Sequence, residues 1–330
     1  MTRLVALMAL LGVLLMPACG EGEEGGEGTA VPAPTGQTAS STPQGTVPAT
    51  PVVTPEASVP MGKIAFTSRR DGNGEIYLLT AKGETNITNN PAEEIESDLS
   101  PDGKKIVFAS NRDGTYRLYV VNVDGSGLAR LTDGPAGDLS PKWSPDGKRI
   151  AFARAAGLMV MDSDGSNTRQ VMEPQLEATA PPCKEGAFVG GWSPDGEQLT
   201  FYAANVTESV GQVCTINVDG SGLTVVASEP PGYHVEPAWS PDGQWIAYRF
   251  IDGGNHEIYI VKPDGSSRAN LTNHPAADIE PDWSPDGKWI AFASDRTGFF
   301  DLYVMRADGG GAPARLTTSS GKDSEPSWGP

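Results

Sequence analysis

Histidine and cysteine are scarce in this 330-residue chain, with three of each. His256 and His274 have no cysteine or carboxylate at a metal-ligand spacing, so a zinc-type site is not encoded around them. No Gly-x-Ser-x-Gly elbow is present, which removes the usual sequence mark of a serine hydrolase. Basic residues are also few: 24 Lys and Arg stand against 42 Asp and Glu, for a formal net charge of −18. That balance excludes nucleic acid, and excludes an anionic membrane surface held through a basic face. The chain has one long apolar run, Leu4–Met16. Thirteen residues are too few to span a bilayer and suit an export signal.

Residues 1–19 therefore read as a signal segment. Its end, Ala18-Cys19-Gly20, resembles the bacterial lipoprotein signal, which implies lipidation of Cys19. Ordinary cleavage near Ala18 and a plain N-terminal anchor are the alternatives. Residues 20–60 contain seven Pro, five Glu and no Lys or Arg. Such a segment cannot bury enough apolar surface to fold and reads as a disordered tether. The expected location is extracytoplasmic and membrane-anchored, in the periplasm or at the cell surface, with the lipid as the only membrane contact.

The remainder, residues 61–330, is repetitive. Ser-Pro-Asp-Gly begins at Ser100, Ser144, Ser193, Ser240 and Ser284, at intervals of 44, 49, 47 and 44 residues. Pro presets φ, Asp bonds its own backbone and Gly takes the positive φ of a tight turn. An apolar or aromatic residue precedes each turn (Leu99, Trp143, Trp192, Trp239, Trp283) and an alternating strand follows it. A second hairpin turns at Asp-Gly pairs starting at Asp124, Asp164, Asp219, Asp264 and Asp308, a strong hairpin signal. Four antiparallel strands per unit predict propeller blades. The first unit lacks its opening strand, and the chain ends on Ser327-Trp328-Gly329-Pro330, which supplies it. The expected fold is all-β: a six-bladed β-propeller of four-stranded antiparallel blades, closed by the C-terminal strand pairing with the N-terminal blade, and monomeric.

The repeated Trp-Ser-Pro-Asp-Gly-Lys-x-Ile-Ala-Phe element resembles the propeller repeat of the TolB family. Related repeats occur in the propellers of the dipeptidyl peptidase IV and prolyl oligopeptidase groups. The resemblance covers residues 61–330. It implies a non-catalytic scaffold of the cell envelope whose propeller docks a protein partner. The extra N-terminal α/β domain of TolB is replaced here by the tether.

Most repeated residues read as structural. The turn aspartates Asp102, Asp146, Asp195, Asp242 and Asp286 bond the backbone locally, and Trp143, Trp192, Trp239, Trp283 and Trp328 wedge between blades. The stretch entering each first strand is more informative. Five and three residues before the Trp position stand Glu94 and Glu96, Asp138 and Ser140, Ala187 and Val189, His234 and Glu236, Asp278 and Glu280, and Asp323 and Glu325. First strands surround a propeller's axis, so these eight carboxylates and His234 are expected to crowd one channel mouth.

Like charges that close need neutralising. Three agents fit. Arg70, Arg112, Arg154, Arg249 and Arg296 could pair with the carboxylates between neighbouring blades. A Ca²⁺ ion suits carboxylate oxygens. A basic peptide segment or protein partner from the envelope could enter the mouth. No cofactor is required. The competing class is a propeller enzyme or binding module for carbohydrate or peptide, with His234 beside Glu236 as its nearest approach to a catalytic pair. Cys183 and Cys214 fall in connections on the same face and are expected to form a disulfide in an oxidising compartment, the alternative being a buried thiol at Cys214. With the loop Ala203–Gln212, they would raise a wall beside the mouth.

Overall fold

Each Ser-Pro-Asp-Gly tetrad closes on itself. Ser144 Oγ donates to Asp146 Oδ1 at 2.6 Å, and the Lys148 N–H donates to the same oxygen at 3.1 Å. Gly147 completes the turn at φ 68°. The same Ser-to-Asp bond recurs at Asp102, Asp195, Asp242 and Asp286. These bonds hold the turn carboxylates below their ordinary pKa. The aspartates are spent on backbone geometry.

The structure is a computed structural model and describes residues 62–155, 157–173, 185–205, 210–229 and 232–330. The signal segment, the tether, Cys19 and the Pro181–Cys183 stretch lie outside the described residues, as does part of the loop Ala203–Gln212. Strands β1 (Lys63–Ser68), β2 (Glu75–Thr80) and β3 (Gly83–Asn86) come first. They are followed by β4 (Glu94–Leu99), β5 (Lys105–Ser110), β6 (Arg117–Asn122) and β7 (Ala129–Arg130). Next are β8 (Asp138–Trp143), β9 (Arg149–Arg154), β10 (Gly157–Asp162) and β11 (Arg169–Met172). The middle of the fold holds β12 (Glu185–Trp192), β13 (Gln198–Asn205), β14 (Val210–Asn217) and β15 (Thr224–Ala227). Then come β16 (Tyr233–Trp239), β17 (Ile246–Asp252), β18 (Asn255–Val261) and β19 (Ala269–Asn270). The last are β20 (Asp278–Trp283), β21 (Trp289–Ser294), β22 (Asp301–Arg306), β23 (Ala314–Arg315) and β24 (Asp323–Gly329).

The expectation of six separate four-stranded blades is corrected. Four sheets are separate four-stranded blades: β24-β1-β2-β3, β4 to β7, β8 to β11 and β20 to β23. The other eight strands, β12 to β19, form one continuous sheet. The join is a parallel pairing of β14 with β16 at Gly211 and Tyr233. Gly211 permits it, because a Cβ there would lie 3.1 Å from the His234 N and 3.2 Å from the Tyr233 Cβ. Counting turn motifs counts strand hairpins; it cannot see that two neighbouring copies hydrogen-bond to each other.

The N-terminal β1 pairs antiparallel with the C-terminal β24, from Lys63 opposite Gly329 to Ser68 opposite Asp323. This pairing covers an edge that would otherwise expose unpaired backbone groups. The strands β4, β8, β12, β16, β20 and β24 touch one another in turn and return to the start, so they line an axis. The core lies between sheets. Ala65, Ile76 and Leu78 of one blade, for example, pack on Ile106, Phe108 and Tyr119 of the next. Phe66, Phe108, Phe152, Phe201 and Phe292 are all fully buried at equivalent places. Each such side chain contributes roughly 1.5–3 kcal/mol by leaving water. Trp192 and Trp283 bridge sheets through their indole N–H groups, to the Lys142 and Ala238 carbonyls. The tryptophans are wedges, as their once-per-repeat spacing implies.

Candidate functional site

A bulge near the start of each axis-lining strand decides which side chains reach the channel. Register shifts fall between Ile95 and Asp98, Leu139 and Lys142, Val235 and Ala238, and Ile279 and Asp282. A residue with positive φ sits at the matching place in five of the six strands, β12 excepted: Glu96 (53°), Ser140 (52°), Glu236 (54°), Glu280 (56°) and Glu325 (56°). Such a backbone costs a non-glycine residue roughly 1–2 kcal/mol. Its recurrence marks a designed feature, and a bulge re-aims the side chain it carries.

The bulge separates the two carboxylate sets that the sequence places together. Glu94, Asp138, Asp278 and Asp323 have fully buried side chains and turn away from the channel to arginines. Arg112 reaches Glu94 at 2.7 Å, Arg154 reaches Asp138 at 2.6 Å, Arg296 reaches Asp278 at 2.7 Å and Arg70 reaches Asp323 at 3.0 Å. Each pair joins strands of one blade, so the expected pairing between neighbouring blades is corrected to a clamp within each blade. His234 occupies the corresponding place on β16 and is fully buried. It packs on the Tyr248 and Phe250 rings, 5.4 and 4.8 Å between centroids. Burial lowers its pKa. Its Nε2 lies 3.2 Å from the Glu229 carbonyl oxygen.

The second set forms a chain of carboxylates around the axis. Glu236 Oε2 accepts the Glu280 N–H at 3.1 Å, and Glu280 Oε2 accepts the Glu325 N–H at 2.6 Å. Glu325 Oε2 accepts the Glu96 N–H at 2.7 Å, and Glu96 Oε2 accepts the Ser140 N–H at 2.6 Å. Each glutamate thus holds the bulge of the next strand through a backbone hydrogen bond that offsets the backbone strain. The chain lacks a carboxylate on two neighbouring strands, β8 with Ser140 and β12 with Val189. Burial pushes Glu96 up to about 8, with Glu325 adding to the shift, and pushes Glu280 up to about 7. Burial also raises Glu236, against the pull of Arg249, which lies 2.8 Å from it. Tyr116 and Tyr202 stand close enough for their hydroxyls to feel these charges, and burial raises both.

A lower tier was not foreseen. One residue before the Trp position stand Asp98, Lys142, Gly191, Ala238, Asp282 and Ser327. Asp98 Oδ2 accepts the Trp143 N–H and Asp282 Oδ2 accepts the Trp328 N–H, both at 2.7 Å. Lys142 Nζ lies 3.4 Å from Asp98 Oδ1. Asp98, Lys142, Gly191, Ala238 and Asp282 line one cavity of about 140 Å³ with Trp143, Trp192 and Trp239. The signal that could have found this tier is the two-residue alternation of a strand, which puts a residue two after each glutamate on the same face.

Among the described residues no group of three or more His, Cys, Asp or Glu side chains is placed to hold a metal ion. Cys214 is disulfide-bonded; Cys183 and Cys19 lie outside the described residues.

The profile of the family described as the TolB beta propeller domain matches residues 35–157 and 153–330. The fold superposes on TolB from Acinetobacter baumannii with a TM-score of 0.66 at 18% identity, covering 81% of this chain and 66% of that one. A putative TolB from Agrobacterium tumefaciens gives 0.62 at 22% identity, covering 79% and 91%. Among curated relatives, an uncharacterized protein of Agrobacterium fabrum is 32% identical over 27% of this chain and 29% of its own length. Dipeptidyl-peptidase 5 of Porphyromonas endodontalis is 29% identical over 34% of this chain and 17% of its own length. The matches thus span less than a third of these curated relatives.

Proposed function

This chain belongs to the TolB β-propeller family, and we propose that it serves as a non-catalytic protein-binding scaffold of the cell envelope. In this reading it is exported, anchored through a lipid on Cys19, and takes a basic segment of a partner protein at its axial mouth. The observation that carries the reading is the run of Glu236, Glu280, Glu325 and Glu96 side by side around the channel. Their backbone bonds fix where the carboxylates stand. Burial and mutual repulsion make their shared charge costly, and an incoming ammonium or guanidinium group relieves that cost. A carboxylate offers about four acceptor sites on its two oxygens, so each glutamate retains acceptor capacity after taking one backbone N–H or, at Glu325, also the Thr67 hydroxyl. The Tyr116 and Tyr202 rings beside them suit the flank of a Lys or Arg side chain.

Capture from envelope extracts, with wild type beside the E236Q/E280Q/E325Q variant, tests this. Gln keeps an acceptor for each strand's N–H and removes the charge. A partner held by wild type and lost from the variant is the expected result. Retention of the same partner by the variant, or turnover of a glycan or peptide by the wild type, overturns it. The second outcome would favour the enzyme reading, for which the partial match to a dipeptidyl-peptidase is the supporting observation.

A further inference from the structure

We infer that Lys142 is a tethered cation that occupies the lower part of the axial channel and thereby determines what the mouth accepts: an organic cation at the glutamate tier, and not a divalent metal ion. The inference rests on the mouth being the binding site, as proposed above. Its basis is where the lysine reaches. Lys142 rises from β8, and its ammonium lies 3.4 Å from Asp98 on the adjoining strand β4. Asp282 of β20 and Glu96 of the upper tier also attract its charge. In the ring of axis-lining strands, β8 and β20 stand on opposite sides, with β12 and β16 between them on one side and β24 and β4 on the other. Lys142 of β8 and Asp282 of β20 nevertheless line one cavity, so the lysine faces the space between opposite strands.

Space for the side chain comes from the strands that contribute no bulk at that level. Gly190, Gly191 and Ala238 line the same cavity as Lys142, Asp98 and Asp282. Water reaches the pair, with 26% of the Lys142 side chain and 15% of the Asp98 side chain exposed. Burial opposes the charge on Lys142, yet Asp98 and Asp282 outweigh it and hold its pKa above the ordinary lysine value. The pair is lopsided, since burial leaves Asp98 above its own ordinary value. Three contacts favour its ionised form: Oδ1 faces the ammonium and accepts the Ser327 hydroxyl, and Oδ2 accepts the Trp143 N–H.

Two consequences follow for ligands. A hard divalent cation seeks six or more oxygens converging on one point. Here Asp98, Asp282 and each glutamate already direct one oxygen at a backbone N–H, and a fixed ammonium stands beneath the tier. An organic cation asks less, because each of its N–H groups needs a single free lone pair. Lys142 also lowers the negative charge that an incoming cation meets, so its removal should tighten cation binding and admit a metal.

The test uses the purified full chain and isothermal titration with two probes, a hexalysine peptide and calcium chloride, in 50 mM salt. Wild type is expected to bind hexalysine and to give no heat with millimolar Ca²⁺. K142M is expected to bind hexalysine about tenfold more tightly and to gain Ca²⁺ binding, while K142R keeps the wild-type pattern. D98N, which frees the ammonium to lean on the glutamates, should weaken hexalysine binding and covers the case in which K142M does not fold. If wild type binds hexalysine, and neither K142M nor D98N changes that binding, the inference on Lys142 is overturned while the mouth reading stands. Millimolar Ca²⁺ binding by wild type overturns it equally. If hexalysine binds none of the proteins, the mouth reading itself fails.

Discussion

Glu96 holds its proton more tightly in the folded chain than in the unfolded one. Burial and the neighbouring Glu325 both oppose its charge, and its pKa rises to about 8 from the ordinary 4.5. The groups around it are Glu325 and Glu280, which repel it, and Lys142, which attracts it. A raised carboxylate pKa contributes stability that is fully present below the unfolded value and is lost as pH rises through the folded one. The melting temperature should therefore fall between pH 5 and pH 9, as stability drops by an amount on the order of a few kcal/mol. E96Q should flatten that dependence and melt above wild type at pH 9; an unchanged slope in a scanning calorimeter would refute this account. Binding of a basic ligand runs the other way, because the ligand favours the ionised form. Hexalysine affinity should rise as pH goes from 6 to 8.5. The blade clamps are a different case. Glu94 is fully buried against Arg112, so R112M strands a charge and should cost roughly 3 kcal/mol, read as a shift of the urea midpoint.

At the level of the strand, the bulge is the feature that converts a repeat into a site. Pro237, Pro281 and Pro326 directly follow the glutamates on β16, β20 and β24, and a residue before proline is kept from continuing in a right-handed helical turn. That signal was on view in the sequence, yet it does not reveal on its own that the positive φ falls on the glutamate. With the bulge overlooked, strict alternation assigns Glu94 and Glu96 to one face of β4. The extra residue sends Glu94 back to Arg112 and Glu96 forward to the axis. The join between β14 and β16 is the other strand-level device. G211V puts side-chain atoms where a Cβ alone comes within 3.1 Å of the His234 N. It should cost about 1–3 kcal/mol by overpacking and speed hydrogen exchange in Tyr233 and His234. Exchange equal to wild type would mean the join is not held by backbone approach.

For the whole molecule, closure rests on one strand drawn from each chain end. β24 brings Trp328 into the core that also contains Ile64, Phe66 and Tyr77 of the first blade, and it carries Glu325 into the chain of carboxylates. Deleting 323–330 should remove both the cover of β1 and a link in the carboxylate chain. The expected result is a chain that aggregates on size exclusion, since β1 would expose an unpaired edge. A soluble, cooperatively folding product would show that the ring does not depend on its seam.

The strand hairpins, their turn chemistry, the all-β class and the family were legible from residue order, because each depends on neighbours a few positions apart. Asp in a Ser-Pro-Asp-Gly turn makes the same bonds wherever it stands, and a Trp repeated every 44 to 49 residues packs the same way each time. Which carboxylates meet was not legible. Glu96 and Glu325 are 229 positions apart, as are Asp98 and Ser327. A bulge of one residue, a glycine that lets two copies join, and a lysine that shares one cavity with Asp98 and Asp282 are settled by distances in space. Those distances exist only after the ring has closed, and so these carboxylates acquire their charge environment from folding and not from their order in the chain.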